Sequence, residues 1–203
     1  MFESTKELIC GGVGSAYPCA AYAVGCGADV YAQEYFGMRE CNPKRLPITE
    51  DTLFNIASVS KVASATMIAL KLMENGVISP DDKIEKYLET AGNYKACMIR
   101  HLLTHTSGIA PHMPLYRLCE KEESFYRILN SPPLSAVGEE IHYSCLGYII
   151  LGRILENVTG KRLDALAREY VFSPLGMATA CYSLGVNMPH TPRGNDRIQK
   201  RYW

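Results

Sequence analysis

The segment from Ser58 to Glu74 carries apolar residues almost all the way round a helix, a pattern that predicts a buried helix, stopped at Gly76. A second such run, Tyr143 to Val158, is closed by Gly160 and predicts another buried helix. Shorter helices are predicted over Phe2 to Cys10 before Gly11-Gly12, Met98 to Thr104 before Ser107-Gly108, and Leu163 to Val171 before Pro174. Ser79-Pro80-Asp81-Asp82 offers a serine cap, a first-turn proline and two acids, so it predicts a helix running to about Leu88. Cys19 to Val24, the turn Gly25-Cys26-Gly27 and the alternating stretch Asp29 to Phe36 predict a β-hairpin. Asn42 to Asp51 and the region of Pro132-Pro133 read as loops. The order is thus one hairpin followed by many helices. A two-stranded hairpin alone is marginally stable, so the sheet needs further strands. No internal repeat or low-complexity segment is visible.

Composition narrows the function. Of 203 residues, 47% are hydrophobic and 21% charged, which excludes a disordered tail, a collagen-like fibre and a coiled coil. Basic and acidic residues both number 21, so the formal net charge is zero and neither nucleic acid nor an anionic membrane is an expected partner. The basic residues near the end (Arg193, Arg197, Lys200, Arg201, against Asp196) read as a solvated tail. None of the 8 cysteines forms a C-x-x-C pair, which removes zinc-ribbon and thioredoxin-type readings and points to free thiols in a reducing compartment. The N-terminus shows no signal-peptide pattern, and the most apolar stretch, Val62 to Met73, is too short to span a bilayer. The expectation is a soluble, cytoplasmic chain.

Chemistry concentrates at Ser58-Val59-Ser60-Lys61. Residues three apart on a helix share a face. A serine at a helix N-terminus has backbone N–H groups and the positive dipole end beside it, which stabilise an oxyanion on a bound acyl group. A lysine one turn inside a buried helix is desolvated, which disfavours its ammonium, so a neutral amine takes the serine proton. By itself a serine–x–x–lysine string recurs by chance, with the serine as a simple cap.

The surrounding blocks are more specific. Thr52-Leu53-Phe54-Asn55-Ile56-Ala57-Ser58-Val59-Ser60-Lys61 resembles the nucleophile segment of the serine β-lactamase-like hydrolases, which include class C β-lactamases, penicillin-binding DD-peptidases and related esterases. Ile99-Arg100-His101-Leu102-Leu103-Thr104-His105-Thr106-Ser107-Gly108 is similar to the family's second block. Tyr143-Ser144-Cys145-Leu146-Gly147-Tyr148, with Leu151-Gly152 and Glu156 to Gly160, resembles a third, and Pro174-Leu175-Gly176-Met177 a fourth. The resemblance implies an α+β, β-lactamase/transpeptidase-like fold: a helical domain plus the N-terminal hairpin, with an incomplete sheet. It implies one domain over residues 1–203, made of a helix and hairpin to 52, a helical region over 53–177 and an irregular basic tail over 178–203. It makes Ser58 the acylated nucleophile, Lys61 its base and Tyr143 the proton relay to the leaving group, with no metal or cofactor.

Two departures from the pattern shape the expected activity. Cys145 stands where the family carries asparagine, and a thiol is a weak donor and acceptor beside an amide. As a substrate-binding residue it favours small-molecule esters over amides, and as a group in its own right it reads as an inert thiol. The family's third motif, Lys-Thr-Gly or His-Thr-Gly on a strand, has no match after Met177, since His190-Thr191-Pro192 has proline for glycine. The resulting expectation is a truncated chain with an uncovered sheet edge, open to self-association. Competing readings are an impaired remnant of such an enzyme and a protein that binds a β-lactam or peptidoglycan fragment. His101 and His105 have metal-ligand spacing, but no accompanying glutamate supports a metal site.

Overall fold

The computed structural model describes residues 2–40, 45–115 and 121–182. They fall into two compact units, one within Met1–Asn55 and one over Ile56–Tyr182.

In the N-terminal unit, helix α1 (Glu3–Gly12) precedes strands β1 (Cys19–Cys26), β2 (Asp29–Glu40) and β3 (Leu46–Pro47). They form one sheet in the order β1-β2-β3. The predicted hairpin is present, with Cys26 paired to Asp29 across a Gly27-Ala28 loop in which Gly27 takes φ +58°. The register jumps from Val24–Ala32 to Gly25–Val30, leaving Tyr31 as a bulge residue. Gly25 is required there, because a Cβ would lie 2.4 Å from the Asp29 carbonyl oxygen. Within the segment expected to be a loop, Leu46 and Pro47 pair with Glu40 and Met38 instead. Proline is tolerated because its side of this short strand donates no ladder bond. Helix α1 is tied to the hairpin by Lys6 Nζ, 3.0 Å from Glu34 Oε2, while the Tyr22 hydroxyl donates to Glu34 Oε1 at 2.8 Å. Of the described residues here, Ile48 and Thr52 are buried; Val30 and Tyr31 are exposed.

The second unit holds most of the core. A π-type segment, Lys61–Thr66, runs into α2 (Met67–Glu74). A 3-10 turn at Ile84–Lys86, α3 (Ile99–Leu103), α4 (Lys121–Leu129), α5 (Cys145–Thr159) and α6 (Leu163–Ala167) follow, and a second π-type segment, Arg168–Phe172, continues α6. Helix α5 is central: Leu146, Ile150, Leu151, Ile154 and Leu155 are buried with Ile68 and Leu72 of α2, Ile99 and Leu102 of α3 and Leu166 of α6. Ser144 caps α5 by accepting from Gly147 N at 3.0 Å, and Gly160 ends it at φ +66°. Among the described residues no helix is long and apolar enough to cross a membrane.

Several sequence expectations are corrected. Tyr143 lies outside the helix it was expected to open, two residues before Cys145. The 58–74 run is not buried all round: Lys61, Ser64, Ala65, Ile68, Ala69 and Leu72 are inside, whereas Val59, Val62, Met67 and Leu70 are exposed. No helix spans Ser79 to Leu88. The Asp82 carboxylate instead takes hydrogen bonds from Tyr87 Oη (2.5 Å), Lys86 Nζ (2.9 Å) and Ser79 N (2.7 Å). Ile84 N donates to Cys97 O and Ile99 N to Asp82 O, both at 3.0 Å, so backbone groups a helix would need are committed to the 97–99 stretch. The Tyr87 and Lys86 hydrogen bonds hold the Asp82 carboxyl down at about 2. Helix α4 was not foreseen, although Glu122 and Glu123 in its first turn and the Glu123–Arg127 pair at 2.8 Å are helix signals.

The core assignment predicts that Ile154→Ala lowers the unfolding free energy by about 2–5 kcal/mol in urea titration. Val30→Ala should change it by about 0.5 kcal/mol or less. In hydrogen exchange, amides of α5 should be protected longer than those of β1 and β2.

Candidate active site

The approach to Ser58 is strained. Ala57 sits at φ +45°, a left-handed conformation uncommon for a residue with a Cβ. Val59 N then donates to Ile56 O (3.0 Å), Ser60 N to Ala57 O (3.1 Å) and Lys61 N to Ser58 O (3.0 Å), so a chain of turns leads into the helix. Ser58 is exposed, and its own backbone N–H donates to no group among the described residues. Lys61 opens the π-type segment and is only 5% exposed. Its Nζ lies 3.0 Å from Ser58 Oγ. The wider π turn is a local departure often found where a helix serves a site.

The other half of the site is the turn before α5. Ser144 Oγ donates to Ala110 O (2.7 Å) and Cys145 N to Pro111 O (3.0 Å). His142 N donates to His105 O (2.8 Å), and Ser144 N to His105 Nδ1 (3.1 Å). This places Cys145 Sγ 3.4 Å from Lys61 Nζ and the Tyr143 ring 5.2 Å from it. Ser58, Tyr143 and Cys145, singled out from the sequence, therefore gather around the buried amine of Lys61. The ring of Tyr148 stands 5.8 Å from that amine, with its hydroxyl bonded to Thr66 Oγ1 (3.0 Å) and donating to Leu103 O (3.3 Å).

His105 and Tyr148 were not assigned roles from sequence. Both lie inside blocks that carry the family pattern, so their positions were visible and their contacts were not. The His105 ring lies 4.5 Å from that of Tyr143 and 5.2 Å from that of Tyr148. Burial, and secondarily the Lys61 charge, hold its pKa below the usual histidine value. His101 Nδ1 accepts from Met98 N at 3.0 Å, and its pKa is lowered by burial and then by Arg100. Among the described residues no group of three or more metal-ligating side chains comes together. The His190-Thr191-Pro192 stretch lies outside the described residues. A cleft of about 560 Å³ in the N-terminal unit is lined by Phe2, Glu3, Tyr22, Tyr31, Ala32 and Glu34, none of which belongs to this cluster.

A family model described as Beta-lactamase matches residues 6–195. The chain belongs to the beta-lactamase family. Among its relatives in this family, penicillin-binding protein 4* of Bacillus subtilis (strain 168) is 31% identical over 161 residues, covering 74% of this chain and 35% of that protein. Esterase EstB of Burkholderia gladioli is 34% identical over 158 residues, covering 64% of this chain and 38% of its own. Among solved structures, the octameric penicillin-binding protein homologue from Pyrococcus abyssi superposes with a TM-score of 0.71 at 26% identity, over 87% of this chain and 42% of that one. Simvastatin synthase (LovD) from Aspergillus terreus superposes with a TM-score of 0.70 at 26% identity, over 90% and 53%. The chain thus spans little more than a third of the length of these sequence relatives. The fold is that of β-lactamases and transpeptidases, represented here by helices and a small antiparallel sheet.

Two thiols of this beta-lactamase-family chain differ sharply. Cys97 is fully buried, and desolvation pushes its thiol up to about 12. Cys145 is partly exposed beside Lys61. Iodoacetamide at pH 8 should leave Cys97 unmodified in the native protein and modify it once urea unfolds the chain. Peptide mass mapping reads the difference, and native labelling of Cys97 would contradict the buried assignment.

Proposed function

We propose that the protein is a serine hydrolase of small esters and amides that works through an acyl-enzyme on Ser58. The observation that carries this reading is the 3.0 Å approach of Lys61 Nζ to Ser58 Oγ, with the lysine almost wholly removed from water. Ser58 Oγ attacks the substrate carbonyl carbon while its proton passes to Lys61 Nζ. The carbonyl oxygen, now negative, lies near the Ser58 N–H, a donor with no other partner among the described residues. The bond to the leaving group breaks, and that group takes up the proton by way of the Tyr143 hydroxyl, which forms no hydrogen bond among the described residues and is free to serve. Water then attacks the acyl-serine and releases the free acid. No metal or cofactor enters these steps.

Cys145 sets the expected preference. Where an amide substrate would look for a donor and a strong acceptor, it meets a weakly bonding thiol turned towards Lys61. We therefore read the site as favouring esters, in keeping with the resemblance to an esterase as well as to penicillin-binding proteins. Free thiols at Cys10, Cys26, Cys97 and Cys145 support a reducing, cytoplasmic setting. Self-association is read from β1, whose outer edge carries no strand among the described residues, and from the exposed Val30 and Tyr31.

A fluorophosphonate or a penicillin should add covalently to Ser58. Ser58→Ala should abolish the adduct and Lys61→Ala should slow its formation about 10²- to 10⁴-fold. Equal adduct in wild type and Ser58→Ala, seen by intact-mass spectrometry, would refute the assignment. A stable penicillin adduct without turnover of any ester would favour the binding-protein reading. Initial rates should be higher on p-nitrophenyl acetate than on nitrocefin, and Cys145→Asn should raise the amide-to-ester ratio several-fold. Nitrocefin turnover matching that of the ester in wild type would count against the role given to Cys145.

A further inference from the structure

The turn that carries Tyr143 is fastened by one residue of another loop. His105 lies at φ +61°, unusual for a residue with a Cβ. In that conformation it binds the turn twice, through its carbonyl to His142 N (2.8 Å) and through Nδ1 to Ser144 N (3.1 Å). Its ring also contacts the Tyr143 ring at 4.5 Å. We propose that His105 is the positioning residue of the site: its unprotonated Nδ1 fixes the 142–145 turn, and with it Tyr143 and Cys145, against Lys61.

The acceptor role has a chemical consequence. Ser144 N–H is a donor, so Nδ1 can accept from it only while it carries no proton; protonated, the ring turns a donor towards a donor. The groups around the ring do not favour protonation. Lys61 faces it from the segment before α2, Tyr143 from the turn and Tyr148 from α5, and none of these supplies a carboxylate. The Glu140 carboxylate lies 3.2 Å from His142 Nε2 and is not among the groups that shift His105. Burial first, and Lys61 second, lower the His105 value below the ordinary 6.5. With a depressed value in the folded chain, the fastening is complete above 6.5 and is lost as pH falls through the lower, folded value.

This inference extends the hydrolase reading, so its test has one readout that depends on turnover and one that does not. Asparagine tolerates left-handed φ and offers an Oδ1 acceptor that does not titrate. His105→Ala should lower kcat for p-nitrophenyl acetate about 10- to 100-fold with a smaller change in KM, as expected when a proton relay is misplaced. His105→Asn should restore most of that loss and remove the fall in rate below pH 6.5 that wild type shows. Independently, the Ser144 amide should lose hydrogen-exchange protection in wild type as pH falls well below 6.5 but keep it in His105→Asn. An acid limb or an amide protection profile identical in wild type and His105→Asn overturns the proposal. If wild type shows no Ser58-dependent turnover, the hydrolase reading fails while the Ser144 amide still decides this one. If His105→Ala does not fold, the His105→Asn comparison carries the test alone.

Discussion

The start of α5 is fixed at Ser144, and the rest of the site depends on that fixation. Ser144 Oγ accepts from Gly147 N inside the helix and donates to Ala110 O outside it, while its N–H is held by His105. A side chain used in both directions leaves the turn no freedom to slide by one residue. A slip would move Cys145 and Tyr143 away from Lys61 together, since they flank Ser144. The cap and the interior of α5 work jointly here. Its buried Leu and Ile residues hold the helix against α3, α6 and the π-type segment before α2, and the cap decides where its first turn faces.

Lys61 is held by an opposing pair of demands. Its position in the π-type segment takes it out of water, which costs free energy for a cation. Around it are one hydroxyl, one thiol and two aromatic faces, with no carboxylate bonded to it among the described residues. Ring faces and a serine oxygen partly compensate a charge without tying it into an ion pair, as a carboxylate would. The left-handed Ala57 beside the nucleophile fits the same picture, because backbone strain persists only where the surroundings over-determine it.

The two units differ in what holds them. In the hairpin unit, stability is local: ladder bonds, a glycine-dependent bulge and the Lys6–Glu34–Tyr22 network, with Ile48 as the buried apolar side chain among those described. In the second unit, long-range apolar packing dominates, and its polar groups, such as the Asp82 cluster, organise loops around that packing.

Much of this was legible in the chain itself. The hairpin, the C-terminal stop at Gly160 and the pairing of Ser58 with Lys61 follow from local rules: alternation, glycine at left-handed positions and the three-residue helical offset. The family blocks added Tyr143 and Cys145, because their order along the chain is a sequence property. What the sequence could not decide were contacts between distant residues. The capping signals at Ser79 to Asp82 are real, yet Tyr87, Lys86 and the 97–99 backbone claim the groups a helix would have used. The all-apolar helix is covered on one face only, because burial is set by which neighbours arrive and not by the residue pattern. His105 is 39 residues from Ser144, and nothing local marks a histidine nitrogen as the acceptor that holds a remote turn. Local chemistry specifies elements and candidate groups; only the closure of the chain on itself determines which buried donor meets which acceptor, since each such bond forms only where folding has already excluded water.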